Sequence, residues 1–150
     1  MARVEKTVEI KASPEEIWHL ISLEKIPTWM SQMKKAEYSS SKKKGVGTIA
    51  HVWGEAGGVK CELDVETTDW TKYIRFAWRS VAGTLTGFGS VTLLPSQDGT
   101  TATFVMDYDL PYCILGKVVD KLRVYKALEK GFTMSLEKLR ATLESGENKK

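Results

Sequence analysis

The chain has 150 residues, a length that suits one ordinary domain with a single core, so residues 1–150 are expected to form one unit. The formal net charge of +3 is small, and the lysines gather at 42–44 and at the C-terminal end, so nucleic-acid binding is not expected. No stretch is apolar enough to span a bilayer or to act as a signal peptide, which predicts a cytoplasmic protein without stable membrane insertion.

The first predicted elements are a strand and a capped helix. Residues 3–12 alternate between apolar and charged side chains, the pattern of a half-buried strand. Ser13, Pro14 and Glu16 then predict a helix start, because a serine cap, a proline in the first turn and a glutamate three residues on form a capping box. A second short helix is predicted at residues 26–30. Two short helices therefore follow the first strand.

Residues 34–110 predict an antiparallel meander whose hairpins can be tested by the side chains that they pair. A turn at 69–72 sets apolar residues opposite apolar ones and acids opposite arginines. The predicted pairs are Val65 with Phe76, Leu63 with Trp78, Glu66 with Arg75, and Glu62 with Arg79.

Two further hairpins complete the meander. A turn at 96–99 aligns Leu93 with Ala102 and Val91 with Phe104. Glycines near 54, 57 and 58 close another hairpin. Its predicted pairs are His51 with Cys61 and Ile49 with Leu63.

The last predicted element is a helix that begins around 113–116 and ends around 145–146. Its apolar positions step by three or four with one skipped turn near Leu128, which predicts a stripe facing the sheet. The stripe comprises Leu115, Val118, Leu122, Tyr125, Phe132, Leu136, Leu139 and Leu143. Gly131 in mid-helix indicates a kink or a close approach to another element, or else a tolerated glycine.

This order of elements predicts a sheet curled around one helix. Four segments, ASPEEIW at 12–18, GVGT at 45–48, YIRFAWR at 73–79 and DGTT at 98–101, carry a resemblance to the START-like, Bet v 1-like superfamily. The chain is most similar to its polyketide cyclase/dehydrase-like branch, also called SRPBCC, over residues 3–145. The resemblance implies an α+β helix-grip fold, in which a curved antiparallel sheet of about seven strands surrounds a long C-terminal helix.

The same resemblance implies a cavity between sheet and helix for lipids, polyketides, sterols, hormones or other apolar ligands. Some members of the superfamily catalyse cyclisation or dehydration, others bind or carry, and one branch activates a chaperone. We therefore expect binding or carrying of a small hydrophobic ligand. The alternatives are a cyclase or dehydratase enzyme and a protein-interaction module with an unknown partner.

Candidate ligand-binding residues follow from the inward face of the predicted strands and from the helix stripe. They are His51, Trp53, Cys61, Leu63, Phe76, Trp78, Gly87, Gly89, Phe104, Met106, Tyr108, Leu122, Tyr125 and Phe132. Polar groups on such a face orient a ligand through a few hydrogen bonds. His51 is therefore a candidate general acid or base, or a hydrogen-bond donor to a ligand carbonyl. The alternative is a histidine whose hydrogen bonds are satisfied within the protein, or one that is exposed at the rim.

The tyrosines and glycines among the candidates each have two interpretations. Tyr108 and Tyr125 could polarise a ligand carbonyl, or could pack with their hydroxyls reaching water. Gly87 and Gly89, expected opposite Phe76 and Ile74, leave space or form a bulge.

Carboxylates and cysteines argue against other chemistries. The acids of the central strands alternate outward, which disfavours a paired acid/base site of a hydrolase. Cys61 and Cys113 have no metal-ligand spacing, and no nucleotide-binding loop occurs, so neither a metal nor a cofactor is expected.

Overall fold

Seven strands form one antiparallel sheet in the computed structural model, which describes residues 1–114 and 116–145. The sheet order is β1-β7-β6-β5-β4-β3-β2, as the meander requires. The strands are β1 Ala2–Ile10, β2 Met33–Tyr38, β3 Ile49–Ala56, β4 Val59–Thr71, β5 Arg75–Gly83, β6 Thr86–Ser96 and β7 Gly99–Asp109. The sheet curls around a long C-terminal helix, which confirms the predicted helix-grip fold.

The short helices lie where the sequence predicts them. Helix α1 spans Pro14–Trp18, and its capping box is complete, because the Glu16 amide donates to Ser13 Oγ and the Ser13 amide donates to Glu16 Oε1, both at 3.2 Å. A 3₁₀ helix follows at Ile26–Thr28. Both elements contribute buried apolar side chains to the core, among them Ile17 and Ile26.

The C-terminal helix begins later than predicted. Helix α2 spans Lys121–Glu144, and Asp120 caps it by accepting from the Arg123 amide at 3.1 Å. The preceding residues form a two-stranded ribbon, β8 Cys113–Ile114 and β9 Lys117–Val118, closed by a turn in which Gly116 has φ 78°. A left-handed glycine and an aspartate cap both interrupt a helix, and this local chemistry outweighs the apolar period that runs through the segment.

The buried face of α2 corrects part of the predicted stripe. Phe132, Leu136, Leu139 and Leu143 are buried as expected, but Leu122 is 63% exposed and Val118 of the ribbon is 88% exposed. Val124 and Leu128 take their place, so the predicted skipped turn at Leu128 is wrong. The interrupted segment shifts the phase of the stripe by about half a turn at its N-terminal end. Leu115 lies outside the described residues, as does the predicted helix end at 146.

Of the three predicted hairpin registers, one is confirmed and two are wrong. In the β6–β7 hairpin Leu93 pairs with Ala102 and Val91 with Phe104, as predicted. In the β3–β4 hairpin the turn is Gly57-Gly58, both with positive φ, and the pairs differ from those predicted. Here His51 pairs with Asp64 and Ile49 with Glu66.

That displacement reverses one strand face. An odd shift in pairing exchanges the two sides of a strand, because side chains alternate with period two. Ala50 and Val52 are therefore the buried residues of β3, 0% and 6% exposed, and His51 and Trp53 lie on the outer face. The inward orientation predicted for these two residues is wrong.

The β4–β5 turn lies at 72–74 rather than at 69–72, so the register of this hairpin differs from the predicted one. Pairing shifts between Asp64 and Val65 and again between Thr67 and Asp69, and Thr71 pairs with Arg75 at the turn. The four predicted pairs of this hairpin are therefore wrong. Their observed replacements include Glu66 opposite Arg79, with Arg79 Nη2 2.7 Å from Glu66 Oε1, while Arg75 Nε lies 3.2 Å from Asp69 Oδ2. Leu63, Val65 and Phe76 nevertheless face the core, and the acids of β4 face outward as predicted.

Helix α2 is held against the sheet edge at Gly131. A Cβ there would lie 2.5 Å from Gln32 Nε2, so only glycine lets the Gln32 side chain cross the helix. Gln32 Nε2 donates to the Leu128 carbonyl at 3.3 Å, and Ser135 Oγ donates to Gln32 Oε1 at 3.2 Å. Of the predicted alternatives for Gly131, the structure has the close approach. No helix in the described ranges is long and apolar enough to cross a membrane.

Candidate functional site

An apolar cavity of about 140 Å³ lies between the inner face of the sheet, the 3₁₀ helix region and α2. The side chains that line it are almost all aliphatic, aromatic or thioether groups. Apart from the tryptophans, its polar side chains are Gln32, Glu55, Cys61, Ser90 and Tyr108. A cavity with few polar groups binds through apolar contact and orients its ligand through those few.

Eight of the fourteen predicted site residues line this cavity. They are Cys61, Leu63, Phe76, Trp78, Phe104, Met106, Tyr108 and Phe132. Six strands, β2 to β7, and α2 contribute to the lining, because alternation on each strand directs every second side chain inward.

The other six predicted residues lie elsewhere. Leu122 is exposed on α2, and Tyr125 directs its hydroxyl to Glu129 Oε2 at 3.3 Å. His51 and Trp53 lie on the outer face, and the two glycines, Gly87 and Gly89, face inward without bordering the cavity.

The space beside Gly87 and Gly89 is occupied by the protein itself. Gly89 pairs with Trp78 rather than with Ile74, and a Cβ at Gly89 would lie 2.7 Å from the Trp78 indole. A Cβ at Gly87 would lie 2.5 Å from the Asp107 carbonyl oxygen. The glycines thus admit close packing of a ring and of a neighbouring strand, and the expected open space for a ligand is not there.

Several lining residues were missed by the sequence reasoning. One group comes from residues around the 3₁₀ helix and includes Leu23, Ile26, Trp29, Met30 and Met33. Apolar residues at 23, 26, 29, 30 and 33, spaced mostly by three or four, are the signal that could have found them. Another group, Val124 and Leu128, was hidden by the wrong helix phase.

Tyr108 is the most unusual group in the lining. Its side chain is 3% exposed, and its hydroxyl has no hydrogen-bond partner among the described residues. Burial raises the pKa of this phenol, with a smaller contribution from Tyr125, so it stays protonated as a donor. A buried hydroxyl without a partner costs about 1–3 kcal/mol. The site therefore holds a neutral donor that the protein leaves unsatisfied.

Cys61 is a poor nucleophile in this position. The residue is half-buried, and a Cβ at the facing Gly54 would lie 3.3 Å from its Sγ. Burial raises the pKa of the thiol, so the reactive thiolate is disfavoured. In the described ranges no cluster of three His, Cys, Asp or Glu side chains could hold a metal ion.

His51 belongs to an ionic cluster on the outside of the sheet. Its Nδ1 lies 2.9 Å from Asp64 Oδ1, its Nε2 lies 3.1 Å from Glu62 Oε2, and its ring packs edge-on against Trp53 at 4.4 Å. The hydrogen bond to Asp64 raises the pKa of His51 above 6.5, burial opposes this, and Glu62 adds to the rise. The predicted role of His51 in the cavity is therefore not supported by its position.

We expect His51→Ala to leave ligand affinity within twofold of the wild type, because the ring lies outside the cavity. NMR titration should give His51 a pKa above 6.5 that falls in Asp64→Asn. Since the folded pKa exceeds the unfolded one, the stabilisation by His51 is complete below about pH 6.5 and is lost as pH rises through the folded pKa. A large affinity loss in His51→Ala would return the residue to the site.

Comparison with known protein families identifies the family of this chain. The sequence profile described as "Polyketide cyclase / dehydrase and lipid transport" matches residues 1–144. The chain belongs to this family. No curated protein matches the chain.

Solved structures of members of the wider fold resemble the chain over nearly its whole length. A protein from Thermus thermophilus has TM-score 0.78 at 23% identity, covering 97% of this chain and 99% of its own. The Zhui aromatase/cyclase of a Streptomyces species has TM-score 0.77 at 14% identity, covering 97% and 94%. A START superfamily protein from Mycobacterium smegmatis has TM-score 0.74 at 17% identity, covering 95% and 97%. At these identities the likeness concerns the fold.

Proposed function

We propose that this chain binds or carries a small hydrophobic molecule, lipid-like or polyketide-like, in the cavity between the sheet and α2. The observation that carries the proposal is the apolar lining itself, to which the sheet, the 3₁₀ region and the helix all contribute. Membership of the polyketide cyclase/dehydrase and lipid transport family supports the same class of ligand.

Cavity size bears on the kind of ligand. An engineered apolar cavity of about 150 Å³ in another protein binds one benzene molecule. At about 140 Å³ the cavity accepts one ring or a short chain without rearrangement. Larger ligands require the lining to yield, and Met30, Met33 and Met106 are suited to this because thioether side chains adapt their shape readily.

The proposed ligand also carries a hydrogen-bond acceptor, such as a ketone, ester or hydroxyl oxygen. Tyr108 supplies the donor, since its hydroxyl is buried in the cavity wall without a protein partner. The hydroxyl is covered in this structure, so the acceptor reaches it when the lining yields to the ligand. Binding then satisfies a group that folding leaves unsatisfied.

Catalysis of cyclisation or dehydration is the second candidate. Tyr108 favours catalysis because its phenol is neutral and can donate a proton to a ligand carbonyl. The outer position of His51 removes the other predicted proton carrier from the cavity. Carrying therefore requires fewer groups than catalysis does.

The test is titration with the fluorescent dye N-phenylnaphthylamine, together with native mass spectrometry of protein purified from its own host. We expect dye binding with low-micromolar affinity and a copurifying apolar molecule that contains oxygen. Return of that molecule with unchanged mass and chromatographic retention after incubation supports a carrier. Loss of water, or an isomer of equal mass but different retention, supports the enzyme. Absence of both dye binding and a copurifying molecule would contradict the proposal.

A further inference from the structure

Exposed apolar side chains gather where the ribbon meets the start of α2. Tyr112 is 81% exposed, Val118 is 88% exposed and Leu122 is 63% exposed. The Val119 amide donates to the Tyr112 carbonyl at 2.8 Å, and Lys121 Nζ lies 4.3 Å from the centre of the Tyr112 ring. These contacts hold residue 112 against the residues that lead into α2. We call this segment, residues 112–114 and 116–126, the basic ribbon.

The charge of the basic ribbon is strongly positive. Lys117, Lys121, Arg123 and Lys126 are exposed, and none of them forms a salt bridge with a described residue. Its acid, Asp120, accepts from the Arg123 amide as the helix cap. The four other arginines of the chain pair with carboxylates, namely Arg3, Arg75, Arg79 and Arg140.

Two of these cations stand where they disfavour the helix. Lys121 and Arg123 lie in the first turn of α2, which holds no acidic residue. The N-terminus of a helix carries a partial positive charge, so cations there reduce helix stability. The arrangement concentrates positive potential at one point of the surface. Folding does not require that concentration, but an anionic partner would be attracted by it.

The basic ribbon also adjoins the cavity. Leu110, two residues before the ribbon, and Val124, within it, both line the cavity. The β3–β4 turn closes the same end, because a Cβ at Gly57 would lie 3.2 Å from the Arg123 carbonyl oxygen. A partner bound to the ribbon would therefore lie beside one end of the ligand site.

We propose that the basic ribbon docks this protein on the surface of an anionic phospholipid bilayer. The exposed Tyr112, Val118 and Leu122 side chains enter the interfacial region, and the cations bind lipid phosphates. Exposed apolar side chains beside basic ones are the combination by which interfacial segments bind anionic bilayers. Docking brings one end of the cavity to the membrane, where an apolar ligand is dissolved.

The test is co-sedimentation with phosphatidylcholine vesicles, with and without phosphatidylglycerol. Binding is expected to the anionic vesicles, to weaken as salt is raised, and to be at least tenfold weaker to pure phosphatidylcholine. Lys117→Glu and Lys121→Glu should each lower affinity for anionic vesicles about fivefold or more. Val118→Asp should lower it about tenfold.

Matched controls place aspartate at equally apolar, exposed positions elsewhere. Leu94→Asp on β6 and Met134→Asp on α2 start from residues that are 57% and 61% exposed, and both should bind vesicles like the wild type. Dye affinity in solution, unchanged in all five variants, separates a failure of docking from a failure of the proposed cavity function.

Three results would overturn docking. These are equal binding to neutral and anionic vesicles, equal losses in the control and ribbon variants, and no vesicle binding by the wild type. Sedimentation velocity adds a fourth: if Val118→Asp turns a dimer into a monomer and vesicles do not bind, the ribbon is an interface between copies of this chain.

Discussion

Leu128→Trp is expected to lower affinity for N-phenylnaphthylamine at least tenfold. Leu128 is 7% exposed on α2 and lines the cavity, so an indole at this position occupies much of the available 140 Å³. Overpacking of this kind costs about 1–3 kcal/mol of stability, which a chain of this length can tolerate. The measurement is a fluorescence titration, with circular dichroism to verify the fold.

The matched control for that substitution is Met134→Trp. Met134 lies on the same helix but is 61% exposed, so its indole points away from the cavity and affinity should stay within twofold of the wild type. If Leu128→Trp folds and binds the dye as tightly as the control does, the ligand site is not between the sheet and α2.

Tyr108→Phe is expected to stabilise the ligand-free protein while weakening ligand binding. Removing the unpartnered hydroxyl relieves a cost of about 1–3 kcal/mol, and the ring that fills the space is retained. For a chain of this size, each kcal/mol shifts Tm by about 2–4 °C. Affinity for a long-chain methyl ketone should fall about twofold to tenfold, while affinity for the alkane of equal length should not fall. Thermal denaturation and competition with the dye measure the two effects.

Tyr125→Phe provides the comparison. Its hydroxyl already donates to Glu129 on the outside of α2, so the same chemical change should alter Tm and both affinities little. Destabilisation by Tyr108→Phe would mean that the hydroxyl is satisfied in solution. An equal loss of ketone and alkane affinity would mean that the ring, rather than the hydroxyl, recognises the ligand. The two substitutions thus separate recognition by hydrogen bonding from recognition by shape.

Local signals predicted the elements that depend on nearest neighbours. The cap formed by Ser13 and Glu16 and the turn before Gly99 were recognised because the side chains or turn residues that define them are adjacent in sequence. The β4–β5 turn lies at 72–74 rather than at 69–72, and its Tyr73 has φ 68°, a conformation that a tyrosine does not signal in the sequence. The register of this hairpin was therefore wrong because its turn was misplaced.

The candidate site shows the same division. Strand residues such as Phe76, Phe104 and Tyr108 were predicted correctly as inward because a long strand keeps its alternation regardless of its partner. The inward orientation predicted for His51 was wrong because the turn lies between Gly57 and Gly58 rather than near residue 56. This difference shifts the β3–β4 pairing by an odd number of residues. The prediction that Leu122 lines the site was wrong because α2 begins after its cap at Asp120. The buried face of the helix therefore has a different phase from the one predicted.

Gly89 sets the position of one cavity wall, the Trp78 indole, without lining the cavity itself. The Trp78 indole lies where a side chain at 89 would begin, 2.7 Å from the position of a Cβ. A side chain at 89 would displace the Trp78 indole from the sheet. Because Trp78 lines the cavity, one methyl group on the sheet would change the space that a ligand can occupy. Selectivity assigned from cavity-lining residues alone would overlook that position.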